Sequence, residues 1–120
     1  MHVVAITPFS LGSESTTVTV SDGRHTCEAF CYPCAYEVGA EIAEPLQLFD
    51  SAVFMLTNQT VAWLNHVGPQ YQHRGVARVV DKDRGLLEIG GLRLEEPAPL
   101  PGGIETGSLV EFECARIDLV

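Results

Sequence analysis

Apolar and polar positions alternate along most of this chain, with the period of two that is typical of half-buried β-strands. In TTVTVS, residues 16–21, Val18 and Val20 alternate with threonines. Asp22-Gly23 follows, a pair that favours a tight hairpin turn. The next run alternates as well, so the pattern predicts a β-hairpin.

The second half of the chain predicts the same succession of elements. A short β-branched run at residues 75–80 precedes a turn-rich loop and LLEIGGLRLE, in which Gly90-Gly91 can close a two-residue hairpin. The final run, residues 108–120, alternates apolar with acidic side chains. The chain is therefore expected to be all-β.

Both halves also place a Gly-x-x-(Ile/Val) sequence before their last strand. Gly39-Ala-Glu-Ile matches Gly107-Ser-Leu-Val, and Phe49-Asp50 matches Ile117-Asp118 at the same offset. The match indicates either an internal duplication of a four-strand unit or the ordinary repetition of β-barrel sequences. In either case we expect a single domain over residues 1–120. Under the duplication hypothesis the pseudo-repeats are residues 1–50 and 73–120, joined by 51–72.

One segment between the halves departs from the alternation. Apolar residues in TVAWLNHV recur near the spacing of a helical turn, Thr60 is a suitable N-cap, and Gly68-Pro69 is a helix stop. The segment predicts one short helix near residues 60–67. Trp63 is expected to cover an end or a seam of the barrel.

The order of these elements resembles the OB-fold. The matching segments are residues 3–7, residues 18–23 with their Ser-Asp-Gly turn, and residues 39–42. The resemblance implies a small closed or partly open β-barrel whose exposed middle strands carry a ligand, and it does not imply which ligand.

Composition and charge narrow the classes of function. Sixteen acidic residues against seven basic ones give a net charge of −9, which disfavours non-specific binding to a phosphate backbone. All but one of the basic residues lie in residues 73–120, so an anion-binding surface would come from that half. No apolar run is long enough to span a bilayer, and the first residues lack the features of a signal peptide. The sequence predicts a cytoplasmic protein with no membrane partner.

Three of the four cysteines lie in TCEAFCYPCAY, residues 26–36. The C-x3-C-x2-C spacing resembles the cluster motif of radical SAM enzymes, and CYPC resembles the thioredoxin/glutaredoxin motif. The chain is too short for the large barrel of the first family. It also lacks the alternating helices of the second, so we disfavour both.

Zinc is a further alternative for this segment, with His25, Cys27, Cys31 and Cys34 as candidate ligands. In an extended strand Cys27 and Cys31 would lie about 13 Å apart, too far for one tetrahedral ion without a bend. The favoured interpretation makes these two residues, like Cys114 in the last strand, small apolar side chains of the core. Cys34 is then the thiol expected to be exposed and reactive.

The other face of the same strand carries the candidate ligand contacts. Phe30 and Tyr32 point outward near Arg24, and aromatic side chains on this face of OB-like barrels stack on bases or sugars. Arg74 and Arg78 are the basic residues that would accompany them. A packed face, covered by another part of the chain or by a partner subunit, is the alternative.

No phosphate-binding glycine loop and no nucleophile or zinc-protease motif is present in the sequence, which favours a protein that is not an enzyme and has no cofactor, with zinc as the alternative cofactor. Catalytic residues need not be close in sequence, so an enzyme stays an open alternative. The leading hypothesis is a non-catalytic binding module, with a protein partner or a homo-oligomer favoured over nucleic acid. The alternatives are single-stranded nucleic-acid binding and a zinc- or thiol-dependent function of residues 27–34.

Overall fold

A computed structural model describes residues 1–8, 15–68 and 71–120 of this protein. All regular structure in these residues is β-sheet. The described residues contain no helix that could span a membrane. The strands of the described residues are β1 (His2–Pro8), β2 (Thr16–Ser21), β3 (Thr26–Cys31), β4 (Leu46–Leu56), β5 (Trp63–His66), β6 (His73–Asp81), β7 (Leu86–Ile89), β8 (Leu92–Glu95) and β9 (Leu109–Asp118).

Five of these strands form a closed barrel. β9 pairs antiparallel with both β4 and β6, β6 pairs with β7, β7 pairs with β8, and β8 returns to β4 in parallel. The other four strands are attached to this ring: β5 extends it beside β6, and β3 of the three-stranded β1–β2–β3 sheet joins β9 where Phe30 meets Asp118. The prediction of an all-β chain with a small closed barrel is confirmed.

The two hairpin turns that the sequence predicts touch each other. The Asp22 carboxylate accepts the N–H groups of Arg24 at 2.8 Å and His25 at 2.6 Å, which fixes the turn between β2 and β3. Its other oxygen accepts the N–H of Gly91 at 2.5 Å, in the turn between β7 and β8. Gly90 has a φ of 58°, and a Cβ there would lie 2.6 Å from the same carboxylate. One acidic side chain therefore holds both turns together.

The helix predicted near residues 60–67 is wrong. Residues 63–66 form β5, an edge strand whose partners in β6 run from Val76, opposite Trp63, to His73. Of the apolar residues at the helical spacing, Leu64 is buried, whereas Val61 is 69% exposed. A helix of about two turns is marginal by itself, and backbone pairing with a neighbouring strand outweighs it. Pro69, half of the predicted helix stop, lies outside the described residues.

The backbone contacts that precede β4 and β9 are alike. Gly39 and Gly107 have φ angles of 94° and 96°. The Gly39 N–H donates to the Val3 carbonyl and the Gly107 N–H to the Val79 carbonyl, both at 2.8 Å. In return, each valine donates its N–H at 2.9 Å to the carbonyl of the residue after that glycine. The sequence match between the halves is thus accompanied by matching hydrogen bonds.

The inward face of β3 belongs to the hydrophobic core. Cys27, Ala29 and Cys31 are buried, and they share one cluster with barrel residues such as Phe112. Cys114 of β9 is buried in the same cluster. The interpretation of these three cysteines as small core side chains is confirmed.

Candidate functional site

The four candidate zinc ligands lie in three different places. His25 packs against the hairpin turns, Cys27 lies in the core within electrostatic reach of Cys114, and Cys31 and Cys34 hydrogen-bond to each other. No group of three or more His, Cys, Asp or Glu side chains in the described part of the chain could hold a metal ion. The zinc site stays a prediction, for which these residues bring only two ligands together.

The two deepest thiols are poor candidates for chemistry. Burial raises the pKa of both Cys27 and Cys114 to about 12. Because the thiolate is the reactive form, both remain unreactive thiols near neutral pH. These residues fill space between β3 and β9.

His73, which the sequence analysis did not single out, joins β6 to β3. Its ring is fully buried, with Nδ1 2.8 Å from the Tyr71 carbonyl and Nε2 3.2 Å from the backbone nitrogen of Glu28. A neutral ring with the proton on Nδ1 satisfies both contacts. Burial lowers the pKa of His73 to about 4, in agreement with a neutral ring. Glu28 is paired with β2 on one side only, and on its other side the His73 ring accepts the N–H that a second strand would otherwise accept.

An arginine held between two phenylalanine rings marks one end of the outer barrel surface. The Arg116 guanidinium carbon lies 4.7 Å from the ring centroid of Phe30 and 4.4 Å from that of Phe49. Asp118 accepts hydrogen bonds from its Nε and Nη2 at 2.6 and 3.2 Å. Tyr71 contacts Phe30 edge-on, with ring centroids 5.7 Å apart. We call Phe30, Arg116 and Phe49 the arginine stack; its two cation–π contacts form a partly exposed surface.

Two concavities adjoin on the outer surface of β6 and β9. The larger has a volume of 380 Å³ and is bordered by Asp50 and Ala115, the neighbours of Phe49 and Arg116 in sequence. The smaller, of 80 Å³, is bordered by Trp63. Arg74 and Glu113, opposite each other on β6 and β9, line both. We call the surface formed by the arginine stack, these two concavities and Trp63 the outer face.

The predicted ligand contacts fall on different parts of the molecule. Phe30 and Arg74 belong to the outer face. Arg78 donates to a carbonyl of the loop before β9, and Arg24 is exposed in the β2–β3 turn. Tyr32 is 60% exposed and borders a separate cavity beyond the end of β3. The predicted set therefore contributes two of its five residues to one surface.

Phe49 and Arg116, which complete the arginine stack, were missed. They are far apart in sequence and become neighbours through the antiparallel register of β4 and β9, in which they are direct partners. A signal for this was present in the match of Phe49-Asp50 with Ile117-Asp118. Two matching strands that pair antiparallel bring equivalent positions close together only where the strands cross, and here Phe49 pairs with Arg116, the residue before its equivalent Ile117.

The cationic groups of the outer face lie beside carboxylates, and its thiol and imidazole are buried. Arg116 is paired with Asp118, and Arg74 lies opposite Glu113, so the cationic groups have carboxylates beside them. The one thiol that lines it, Cys114, has a pKa raised to about 12 by burial. His73 has both ring nitrogens engaged.

Comparisons of this chain with protein-family models, with curated proteins and with solved structures find no match.

Proposed function

We propose that the protein is a non-catalytic interaction module whose outer face binds a protein surface, with a second copy of the chain as the partner to test first. The observation that carries the proposal is the pair of adjoining concavities, which Trp63 borders on one side and Asp50 and Ala115, the sequence neighbours of two arginine-stack residues, border on the other. Aromatic residues and arginine are enriched in the buried centres of protein interfaces, where a few such anchors supply most of the binding energy.

The charges of the outer face support a second copy as the partner. The face carries Arg74 and Arg116 beside Glu113 and Asp118, so it is of mixed charge although the chain has a net charge of −9. A two-fold axis through the concavities would bring arginines of one copy near carboxylates of the other, as an isologous interface requires. The net charge opposes association at long range, and salt weakens this repulsion.

The experiment is sedimentation equilibrium over a range of protein concentrations, with Phe49→Ser as the variant. Phe49 is 50% exposed, and covering its exposed half in both copies of a dimer is worth about 2 kcal/mol, or about thirtyfold in Kd. Val38→Ser is the matched control, because Val38 is 64% exposed in a turn away from the outer face. We expect the first variant to weaken the dimer and the second to leave it unchanged.

Salt provides an independent check. Dimerisation of an acidic chain should strengthen, or stay constant, as the salt concentration rises from about 0.05 to about 0.5 M. A wild-type protein that is monomeric at every concentration would refute self-association. Equal weakening by both substitutions would place the contact elsewhere on the molecule.

Single-stranded nucleic acid, bound in the OB-like manner through Phe30, Tyr32 and the basic residues of 74–93, is the second candidate. Phe30 favours it, because a partly exposed ring can stack on a base. The carboxylates beside Arg74 and Arg116 disfavour it, because they oppose a phosphate backbone. Binding of a labelled oligonucleotide that weakens with salt would support this candidate, and no binding at low salt would end it.

The proposal extends to the origin of the fold. Residues 1–50 and 73–120 are proposed to be two versions of one strand–hairpin–strand unit, joined by 51–72 in a single domain. The matching hydrogen bonds of Gly39 and Gly107 support this, as does the antiparallel pairing of β4 with β9. A duplication followed by divergence would place the arginine stack beside the pseudo-two-fold axis.

A further inference from the structure

Three charged side chains line the larger concavity of the outer face. Asp50, Arg74 and Glu113 come from β4, β6 and β9, and all three are exposed. In the described part of the chain, no ion pair and no hydrogen bond engages any of these three side chains. Their charges are therefore available to a ligand.

The backbone conformation of Asp50 is unusual for a strand. Its φ is 50°, in the left-handed region that few residues other than glycine adopt and that aspartate tolerates better than most. The strand alternation is interrupted there, so Phe49 and Asp50 are both exposed although they follow each other in sequence. A carboxylate that regular alternation would turn to the other face is thus exposed at the concavity.

The three charges are spread over adjacent strands. Arg74 and Glu113 are direct partners in the pairing of β6 with β9. The register of β4 against β9 places Asp50 level with Ala115, which is two residues, or about 7 Å, from Glu113 along β9. Neighbouring strands lie about 4.8 Å apart. One small molecule can therefore reach the guanidinium group and both carboxylates.

The signs of these charges define the class of ligand. A simple anion at Arg74 would also face two carboxylates, and a simple cation would also face the guanidinium group. A molecule that carries both an ammonium group and a carboxylate matches both signs, and arginine binds carboxylates with two parallel hydrogen bonds. The other walls of the concavity include Ala52, Val67 and Ala115, which favour a small apolar side chain on that molecule. The volume of 380 Å³ lies near the lower end of the range for small-molecule sites, as expected for a ligand of amino-acid size.

We propose that the larger concavity binds a free α-amino acid with a small apolar side chain, whose carboxylate contacts Arg74 and whose ammonium group contacts Asp50 and Glu113. This site goes beyond the proposed self-association and does not depend on it. Where both occur, the amino acid and the second copy compete for the same surface, so the bound ligand weakens the dimer.

The test is an NMR titration with L-valine of the isotope-labelled protein, at a concentration where the protein sediments as a monomer. We expect saturable shifts of the backbone amides of residues 50, 74 and 113–115, with a Kd in the millimolar range or tighter for a ligand of this size. N-acetyl-L-valine lacks the ammonium group and L-valinamide lacks the carboxylate, so each should bind at least about tenfold more weakly. Salt should weaken the binding of L-valine, whereas it should strengthen self-association or leave it unchanged.

Substitutions that remove one charge each supply a second measurement. Arg74→Gln and Asp50→Asn should each weaken the binding of L-valine at least about tenfold, and asparagine tolerates the positive φ at position 50 as aspartate does. Arg24→Gln and Asp83→Asn are the matched controls, because both residues are exposed in turns and neither lines the concavity. Both controls should bind L-valine as the wild type does.

Three results would overturn the proposal: no saturable shifts up to about 50 mM L-valine, equal binding of either analogue, or an unchanged affinity in Arg74→Gln or Asp50→Asn. Shifts confined to residues outside the concavity would overturn it as well. Self-association is measured by sedimentation without ligand, so the two proposals can fail separately.

Discussion

The buried ring of His73 predicts how the stability of this protein depends on pH. Its Nε2 accepts the N–H of Glu28 and its Nδ1 donates to the Tyr71 carbonyl, so the folded state holds the ring neutral. A protonated ring would turn Nε2 into a donor facing another donor. It would also place a charge in the interior beside His66, whose ring is stacked on it at 5.0 Å. Acidification should therefore destabilise the fold through this one side chain.

The pKa of His73 sets the size and the direction of the effect. Burial lowers that pKa from 6.5 to about 4, a change of about 2.5 units at 1.36 kcal/mol each, or roughly 3 kcal/mol. Because the folded pKa lies below the unfolded one, the unfolded chain binds the extra proton. The stabilisation that the neutral His73 ring contributes to the free energy of unfolding is fully present above about pH 6.5. It decreases as the pH falls from 6.5 to about 4, and His73 causes no further change below about pH 4.

The assay is urea unfolding of the wild-type protein and of His73→Gln at intervals between pH 7.5 and pH 4. Glutamine can accept from Glu28 and donate to the Tyr71 carbonyl but does not titrate, so the difference between the two proteins isolates the histidine. We expect the wild type to lose about 3 kcal/mol more than the variant over this range. A difference that stays constant with pH would refute the assignment of a buried neutral ring.

The remaining predictions concern the contact between the hairpin turns. Asp22→Asn should lower the free energy of unfolding by about 1–3 kcal/mol at pH 7, since the carboxylate accepts three backbone N–H groups. Burial alone would raise the pKa of Asp22, but these hydrogen bonds lower it well below its usual range. The wild type should therefore keep this stabilisation until the pH falls below about 4. The variant should show no such loss of stability, because asparagine does not titrate. Gly90→Ala should lower the Tm by several degrees, because the φ of Gly90 is 58° and the new Cβ would lie 2.6 Å from Asp22 Oδ2. Gly102→Ala is the control and should leave the Tm nearly unchanged, because a Cβ at Gly102 would have no atom within 4 Å. Unfolding of Gly90→Ala at the wild-type temperature would contradict the close approach.

Local patterns were enough to predict much of the sheet. The hairpin at Asp22-Gly23, the hairpin at Gly90-Gly91 and the inward face of β3 all follow from alternation and turn chemistry, which act between near neighbours. β5 could not be predicted in this way. Its apolar residues are few and irregular, and only its pairing with β6 makes it a strand.

The candidate site was harder to predict for a related reason. The arginine stack needs the register of β4 against β9, and the contact of His73 needs β6 to lie beside β3. Neither register is encoded by the spacing within one segment. For the cysteines, parity predicted that Cys27 and Cys31 are buried, but not that Cys34 turns back to meet Cys31.

An NMR titration of protein concentration tests the central claim, that the outer face is the interaction surface, most directly. Trp63 is the single tryptophan of the chain, so its indole N–H resonance is a unique reporter at one end of this face. The account predicts that this resonance and the backbone amides of Phe49, Arg74 and Arg116 shift together with concentration, while Val38 does not. Shifts confined to the region of Val38, or no shifts at concentrations where the protein sediments as a dimer, would contradict it.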